Sequence, residues 1–116
     1  MSAHTLEGIA DALAELIPER VFSVGHTTCR VQVADRTEYV LFDESETLRH
    51  LEYALREEIE ARGWDWGVAS LSIQRMHTAI VRTGPGKEPH EGDADTPAHA
   101  LALALLAALK SEGGAQ

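Results

Sequence analysis

The sequence contains few aromatic residues and few basic residues, and each shortage excludes a class of function. Aromatic residues make up 5% of the 116 residues, so few side chains are available to stack on bases or sugars. Lys and Arg number 10 against 19 Asp and Glu, which gives a formal net charge of −9. Such a chain repels a phosphate backbone and anionic lipids. We therefore expect no nucleic-acid partner and no membrane partner.

Cysteine and long apolar runs are also scarce. Cys29 is the single cysteine, so no intramolecular disulfide can form and a reducing compartment suits the chain. The first 20 residues lack the basic start and apolar run of a signal peptide. No apolar stretch is long enough to cross a bilayer. These absences predict a cytoplasmic protein.

Three segments have the apolar spacing of helices. They cover residues 6–17, about 44–62, and the run that follows residue 97. Each begins with residues that are typical of a helix N-terminus. The predicted caps are Thr5, Asp43 in a capping box with Glu46, and Thr96 followed by Pro97.

The segments between these helices are typical of strands and short turns. Residues 20–26, 29–35 and 38–42 predict an antiparallel meander between the first two helices. Two more strands are predicted between residues 64 and 82, with a turn within residues 69–74. Residues 84–95 are rich in Gly, Pro and acids without periodicity, which predicts a loop.

The predicted element order is α-β-β-β-α-β-β-α, which is typical of an α+β fold. We expect an alpha/beta sandwich in which a mostly antiparallel sheet of about five strands is covered by three helices. A chain of 12.6 kDa is too small for two independent cores. The sequence thus predicts a single domain over residues 1–112 and a flexible tail over residues 113–116.

The third helix is apolar almost all the way round, so it must be covered on more than one side. We expect one face to pack on the sheet through Leu101, Leu105 and Leu109. Leu103 and Leu106 are then predicted to contact either a neighbouring helix or another subunit. This excess of apolar surface predicts self-association, as a homodimer or a larger homo-oligomer.

Candidate reactive groups are better explained by ordinary structural roles. His26 and Cys29 are spaced like a pair of metal ligands, but no second close Cys/His pair completes a zinc site. Cys29 begins an alternating strand on its apolar side, which favours core packing over nucleophilic catalysis. The acids near His90 lack the spacing of a calcium loop. We predict no catalytic residue, no metal and no cofactor.

A ligand site remains a second hypothesis, because the aromatic residues are so few. Trp64 and Trp66 could line a groove, and Arg75 and Arg82 could supply charge to a bound nucleotide signal. A protein of this kind would bind or sequester a small molecule. A thiol-dependent enzyme that uses Cys29 is the third alternative.

The C-terminal half, over residues 45–110, resembles the phage ABA-sandwich domain family of small phage and prophage proteins. The residues that carry the resemblance are Trp64-Asp65-Trp66, His77-Thr78-Ala79-Ile80-Val81 and Asp95-Thr96-Pro97-Ala98. The cysteine and arginine often found in the last helix of that family are absent, since His99 and residues 100–102 stand there. The resemblance implies an alpha/beta sandwich of phage origin. It implies no activity and no site residues.

Taken together, these patterns predict a small acidic protein of unknown function that acts by binding or self-association rather than by catalysis. If the chain is phage-encoded, we expect it in the cytoplasm of the host.

Overall fold

The computed structural model describes residues 5–71 and 76–114, and over these residues the fold is α+β. It contains three helices and two three-stranded antiparallel sheets. In chain order the elements are α1 (Leu6–Leu16), β1 (Val21–Phe22), β2 (Thr28–Val33), β3 (Arg36–Leu41), α2 (Ser45–Ala61), β4 (Asp65–Leu71), β5 (Met76–Arg82), β6 (His90–Ala94) and α3 (Pro97–Gly114). The last helix therefore extends two residues into the segment predicted as a tail.

Two separate sheets replace the single sheet of about five strands that the sequence predicts. Sheet A has the order β1-β2-β3 and sheet B has the order β4-β5-β6. The chain passes from one sheet to the other through α2, which packs against β2 and β3 on one side and against α3 on the other. Strands β3 and β4 are therefore each an edge strand of a different sheet and are not hydrogen-bonded neighbours.

The prediction of a loop over residues 84–95 is wrong for its second half, where β6 pairs with β5. The register places Gly92 opposite Ala79 and Ala94 opposite His77. Gly92 and Ala94 are buried, whereas Glu91 and Asp93 are exposed, so the strand alternates as a half-buried strand should. Gly and Ala provide too little apolar side chain for this alternation to be recognised in the sequence.

The helix starts test the predicted caps. The Thr5 hydroxyl accepts a hydrogen bond from the Gly8 backbone N–H, and the Thr96 hydroxyl accepts one from the His99 N–H, so both of these caps are confirmed. The capping box at Asp43 is wrong, because Glu44 is the N-cap of α2 and its side chain makes no cap hydrogen bond. The Thr47 hydroxyl instead donates to the carbonyl oxygens of Leu41 and Glu44.

Helix α3 is covered by other parts of the same chain. It packs against β5 and β6 of sheet B, and against α1 and α2 on its other sides. Leu101 and Leu105 are fully buried, and Leu106 is 9% exposed. Its apolar circumference is therefore accounted for by intramolecular packing. No helix in the described part of the chain is long and apolar enough to span a membrane.

Candidate functional site

A surface cleft of about 350 Å³ lies where α2 meets both sheets. Helix α2 forms most of its wall, sheet A contributes the end of β2, and sheet B contributes the start of β4. The residues that line it are Val33, Tyr53, Arg56, Glu57, Glu60 and Trp66. Four of them stand at helical spacings of three, four and seven residues, so they share one side of α2. We call this site the Arg56 cleft.

The Arg56 guanidinium lies between two aromatic rings in this cleft. Its central carbon is 4.2 Å from the centroid of the Trp66 ring and 5.4 Å from that of Tyr53. Both distances are within the range of cation–π attraction. The Nε atom is buried and has no hydrogen-bond acceptor among the described residues; Glu52 Oε2, at 3.8 Å, is its ion-pair partner. The side chain is 33% exposed, so a ligand could reach it.

Glu57 forms a second wall of the cleft and is fixed by two partners. Its carboxylate accepts hydrogen bonds from the Ala34 backbone N–H at 2.9 and 3.0 Å. It also accepts one from Arg20 Nη1 at 2.9 Å. Arg20 further donates to Glu58 and to the Gln32 carbonyl oxygen. This network ties the β2–β3 turn to α2 and thereby holds the cleft wall in place.

Glu60 connects the helix to sheet B. Its Oε2 accepts a hydrogen bond of 3.0 Å from the indole Nε1 of Trp66. The bond fixes the orientation of the indole, whose ring then presents its face to Arg56. Position 60 is exposed, so its carboxylate borders the solvent side of the cleft. The cleft thus combines one cation, two carboxylates and two aromatic rings.

The structure separates the four residues that the sequence nominates for ligand binding. Trp66 lines the Arg56 cleft, but Trp64 is not among the lining residues and has Arg62 above its ring at 5.2 Å. Arg82 is exposed at the end of β5, opposite Asp65 in the β4–β5 register. Arg75 lies outside the described residues. The turn is predicted within residues 69–74, of which 69–71 belong to β4 and 72–74 also lie outside the described residues.

Sequence reasoning missed the residues of α2 that form the cleft. In the sequence, Glu57 and Glu60 belong to the charged side of the helix, which is typical of a solvated face, and Arg56 has the i,i+4 spacing of an ion-pair partner for Glu52. The spacing of Tyr53, Arg56, Glu57 and Glu60 was the available signal. That spacing predicts a shared helix face, but it does not show that a tryptophan from another element lies against it.

Cys29 is in the core, and its environment opposes reactivity. The side chain is 1% exposed, and burial raises the pKa of its thiol to about 12. A thiolate, which is the nucleophilic form of cysteine, is therefore scarce at neutral pH. The Cys29 thiol is therefore poorly placed to act as a nucleophile in this structure.

Ser70 and His77 form a cross-strand pair that the sequence analysis did not identify. The Ser70 Oγ atom lies 2.7 Å from His77 Nδ1, at opposed positions of β4 and β5. A nucleophile and a base can interact at such a distance, but a working base is usually oriented by a third group. No such group is bonded to the ring in the described residues, and we interpret the pair as a sheet-stabilising contact.

The structure also locates the candidate metal ligands and the two leucines predicted at an interface. Among residues 5–71 and 76–114, no group of three or more His, Cys, Asp and Glu side chains could hold a metal ion. Leu106 belongs to the buried core, and Leu103 is partly buried against it. The Leu103 Cβ lies against Gly92 of sheet B. Both leucines therefore have partners within the chain.

Comparison with known proteins adds no relative. No protein-family model matches the chain. Searches among curated proteins and among solved structures also give no significant match.

Proposed function

We propose that this chain is a binding protein and that the Arg56 cleft is its ligand site. The observation that carries the proposal is the placement of the Arg56 guanidinium between Tyr53 and Trp66, with its Nε lacking a hydrogen-bond acceptor in the described residues. The chain has only two Trp and two Tyr, and one of each lines this cleft. Surface clefts that combine aromatic faces with a few polar groups are typical ligand sites.

The chemistry of the cleft favours a planar polar ring as the ligand. The exposed Tyr53 ring provides a stacking surface. The guanidinium supplies hydrogen-bond donors, while Glu57 and Glu60 supply acceptors. A ring with both donors and acceptors at its edge matches this set. Nucleobases and nucleosides belong to that chemical class.

The charge of the cleft argues against a highly charged anion. Glu52, Glu57 and Glu60 all lie near Arg56, and the whole chain carries a net charge of −9. Each phosphate added to a ligand would meet carboxylates at close range, where like charges repel strongly. We therefore expect uncharged or singly charged ligands to bind better than triphosphates.

Calorimetry and thermal shift against a panel of nucleosides, nucleoside monophosphates and nucleoside triphosphates would test the proposal. We expect at least one nucleoside to raise the melting temperature and its triphosphate to have a smaller effect. If no compound in the panel binds, or if triphosphates bind best, the proposal is wrong.

Two arginine variants separate the cleft from the rest of the surface. Arg56→Gln removes the stacked cation, and we expect it to weaken binding by about tenfold or more. Arg62→Gln removes an equivalent arginine that lies over Trp64 outside the cleft. That control should leave binding unchanged. Equal losses in both variants would indicate a non-specific charge effect.

The origin and compartment of the protein are further proposals. They rest on the resemblance of residues 45–110 to phage ABA-sandwich proteins and on the absence of a membrane-spanning helix in the described residues. We propose that the chain is encoded by a phage or prophage and works in the host cytoplasm. Genomic neighbourhood tests this: phage structural or anti-defence genes on both sides support it, and a conserved metabolic operon contradicts it.

A further inference from the structure

The two sheets have four edge strands, and three of them have features that discourage pairing with another chain. Strand β1 contains only two residues. Strand β3 carries Arg36 and Glu38, and β6 carries Glu91 and Asp93. Short length and charged side chains are the usual devices that protect sheet edges.

Strand β4 lacks these devices. It has seven residues, and none of them after Asp65 is charged or a proline. Its outer edge is not paired with any strand of the described residues. Ala69 and Ser70 are exposed. A long, uncharged and unpaired edge offers a row of backbone donors and acceptors to a partner strand.

The surface beside this edge is formed by side chains that are mostly small or apolar. Gly67, Ala69, Thr78 and Ile80 share the face of sheet B that is turned away from the helices, and we call these four residues the outer patch. They line a shallow groove of about 280 Å³. The Ile80 side chain lies over Gly67, 3.6 Å from the position that a Cβ atom would occupy there. Apolar surface therefore continues up to the unprotected edge.

From these features we infer that two copies of this chain associate through their β4 edges into one continuous six-stranded sheet. Antiparallel pairing of identical strands about Val68 is self-complementary, as a two-fold axis requires. Val68 then lies opposite Val68, Gly67 opposite Ala69, and Trp66 opposite Ser70 of the second copy. This interface lies on a different surface from Leu103 and Leu106, and its one residue shared with the Arg56 cleft is Trp66.

Charge is compatible with this register. Asp65 is the one charged residue of β4, and it lies opposite Leu71 of the second copy. The two Asp65 residues are then at opposite ends of the ladder, about 20 Å apart at about 3.4 Å per residue. That separation exceeds the Debye length in physiological salt. The general net charge of −9 still opposes association, so added salt should strengthen the dimer.

Light scattering coupled to size exclusion, at a protein concentration of about 100 µM, tests for the dimer. We expect a dimer that dissociates on dilution. In Ala69→Glu the two new carboxylates would lie diagonally across the interface, about 7 Å apart, so the dissociation constant should rise about tenfold or more. Thr37→Glu places the same charge at an exposed position of β3 and should leave the dimer intact. A strict monomer, or equal effects of the two variants, would overturn the inference.

A cross-linking variant tests the register without introducing charge. In Val68→Cys the two new thiols would face each other across the two-fold axis, at a Cα separation of about 5 Å that permits a disulfide. Cys29 is buried and does not compete. We expect mild oxidation to yield a covalent dimer of Val68→Cys and none of Thr37→Cys. A dimer that does not cross-link at position 68 uses another surface, which would contradict the inference. Circular dichroism confirms that each variant is folded.

Discussion

Gly92 of β6 lies directly against Leu103 of α3. A Cβ atom built at Gly92 would stand 2.6 Å from the Leu103 Cβ and 2.8 Å from the Ala104 backbone nitrogen. Both distances are shorter than any normal carbon contact, so strand and helix meet here with no side chain between them. A glycine in a strand often marks such a close approach of two backbones.

We expect Gly92→Ala to lower the free energy of unfolding by about 1 to 3 kcal/mol, because the added methyl group must push β6 away from α3. Urea denaturation measures the loss. Gly84→Ala is the matched control, since its Cβ would meet only the flexible Lys87 side chain, at 3.8 Å. That variant should change stability by less than about 1 kcal/mol. Similar losses in the two variants would show that the close approach of β6 and α3 does not cause the loss of stability in Gly92→Ala.

Arg20 is expected to contribute more to stability than other surface arginines. Its side chain is 18% exposed and donates to Glu57, Glu58 and the Gln32 carbonyl oxygen. Arg20→Ala removes hydrogen bonds to charged groups, so the free energy of unfolding should fall by about 2 kcal/mol. Arg36→Ala removes one ion pair from a side chain that is 68% exposed, and should cost less than about 0.5 kcal/mol. Chemical denaturation of both variants checks the ranking, which a larger loss for Arg36→Ala would refute.

Cys29 makes stability depend on pH in the alkaline range. Its pKa is about 12 in the folded chain against an ordinary value of 9.0. Between these values the unfolded chain releases the thiol proton and the folded chain keeps it, so raising the pH favours unfolding. The contribution is complete below pH 9 and is lost as the pH approaches 12. Denaturation of wild type and Cys29→Ala across this range should show the wild-type advantage shrinking, whereas parallel curves would contradict the prediction.

Leu106 tests whether α3 is an interface or part of the core. The side chain is 9% exposed and belongs to the buried cluster. We expect Leu106→Ala to lower the free energy of unfolding by about 2 to 4 kcal/mol, as cavity formation in a core does. Its effect on the dimer dissociation constant should be small while the chain remains folded. Dimer loss with unchanged stability would instead identify α3 as the interface.

The sequence predicted local features well, because they depend on neighbouring residues. Thr5 and Thr96 cap their helices through side-chain bonds three residues along the chain. The second of the two strands predicted between residues 64 and 82 is observed as β5, in which Ala79 and Val81 are buried. The prediction of secondary structure failed where contacts between distant parts of the chain determine it. Glycine is typical of loops, so Gly92 indicates a loop when the sequence is read alone. The close approach of α3 explains why strand β6 needs glycine at this position.

The division into two sheets and the Arg56 cleft could not be predicted for a similar reason. Which strands pair depends on where α2 packs, and its narrow apolar stripe does not specify a partner. The cleft requires Trp66 of β4 to lie against Arg56 of α2. The two residues are 10 positions apart with a helix end between them, so their contact depends on how the chain turns after Gly63, which has a positive φ of 77°.

The enclosure of α3 has a consequence for how the chain is made. This helix follows every other described element along the sequence, yet it packs against α1, α2, β5 and β6. During synthesis those elements leave the ribosome with their apolar sides uncovered, and they cannot close around a helix that has not yet been translated. A chain interrupted before Pro97 would therefore expose the surface that α3 normally fills, and chaperones and proteases recognise such surface.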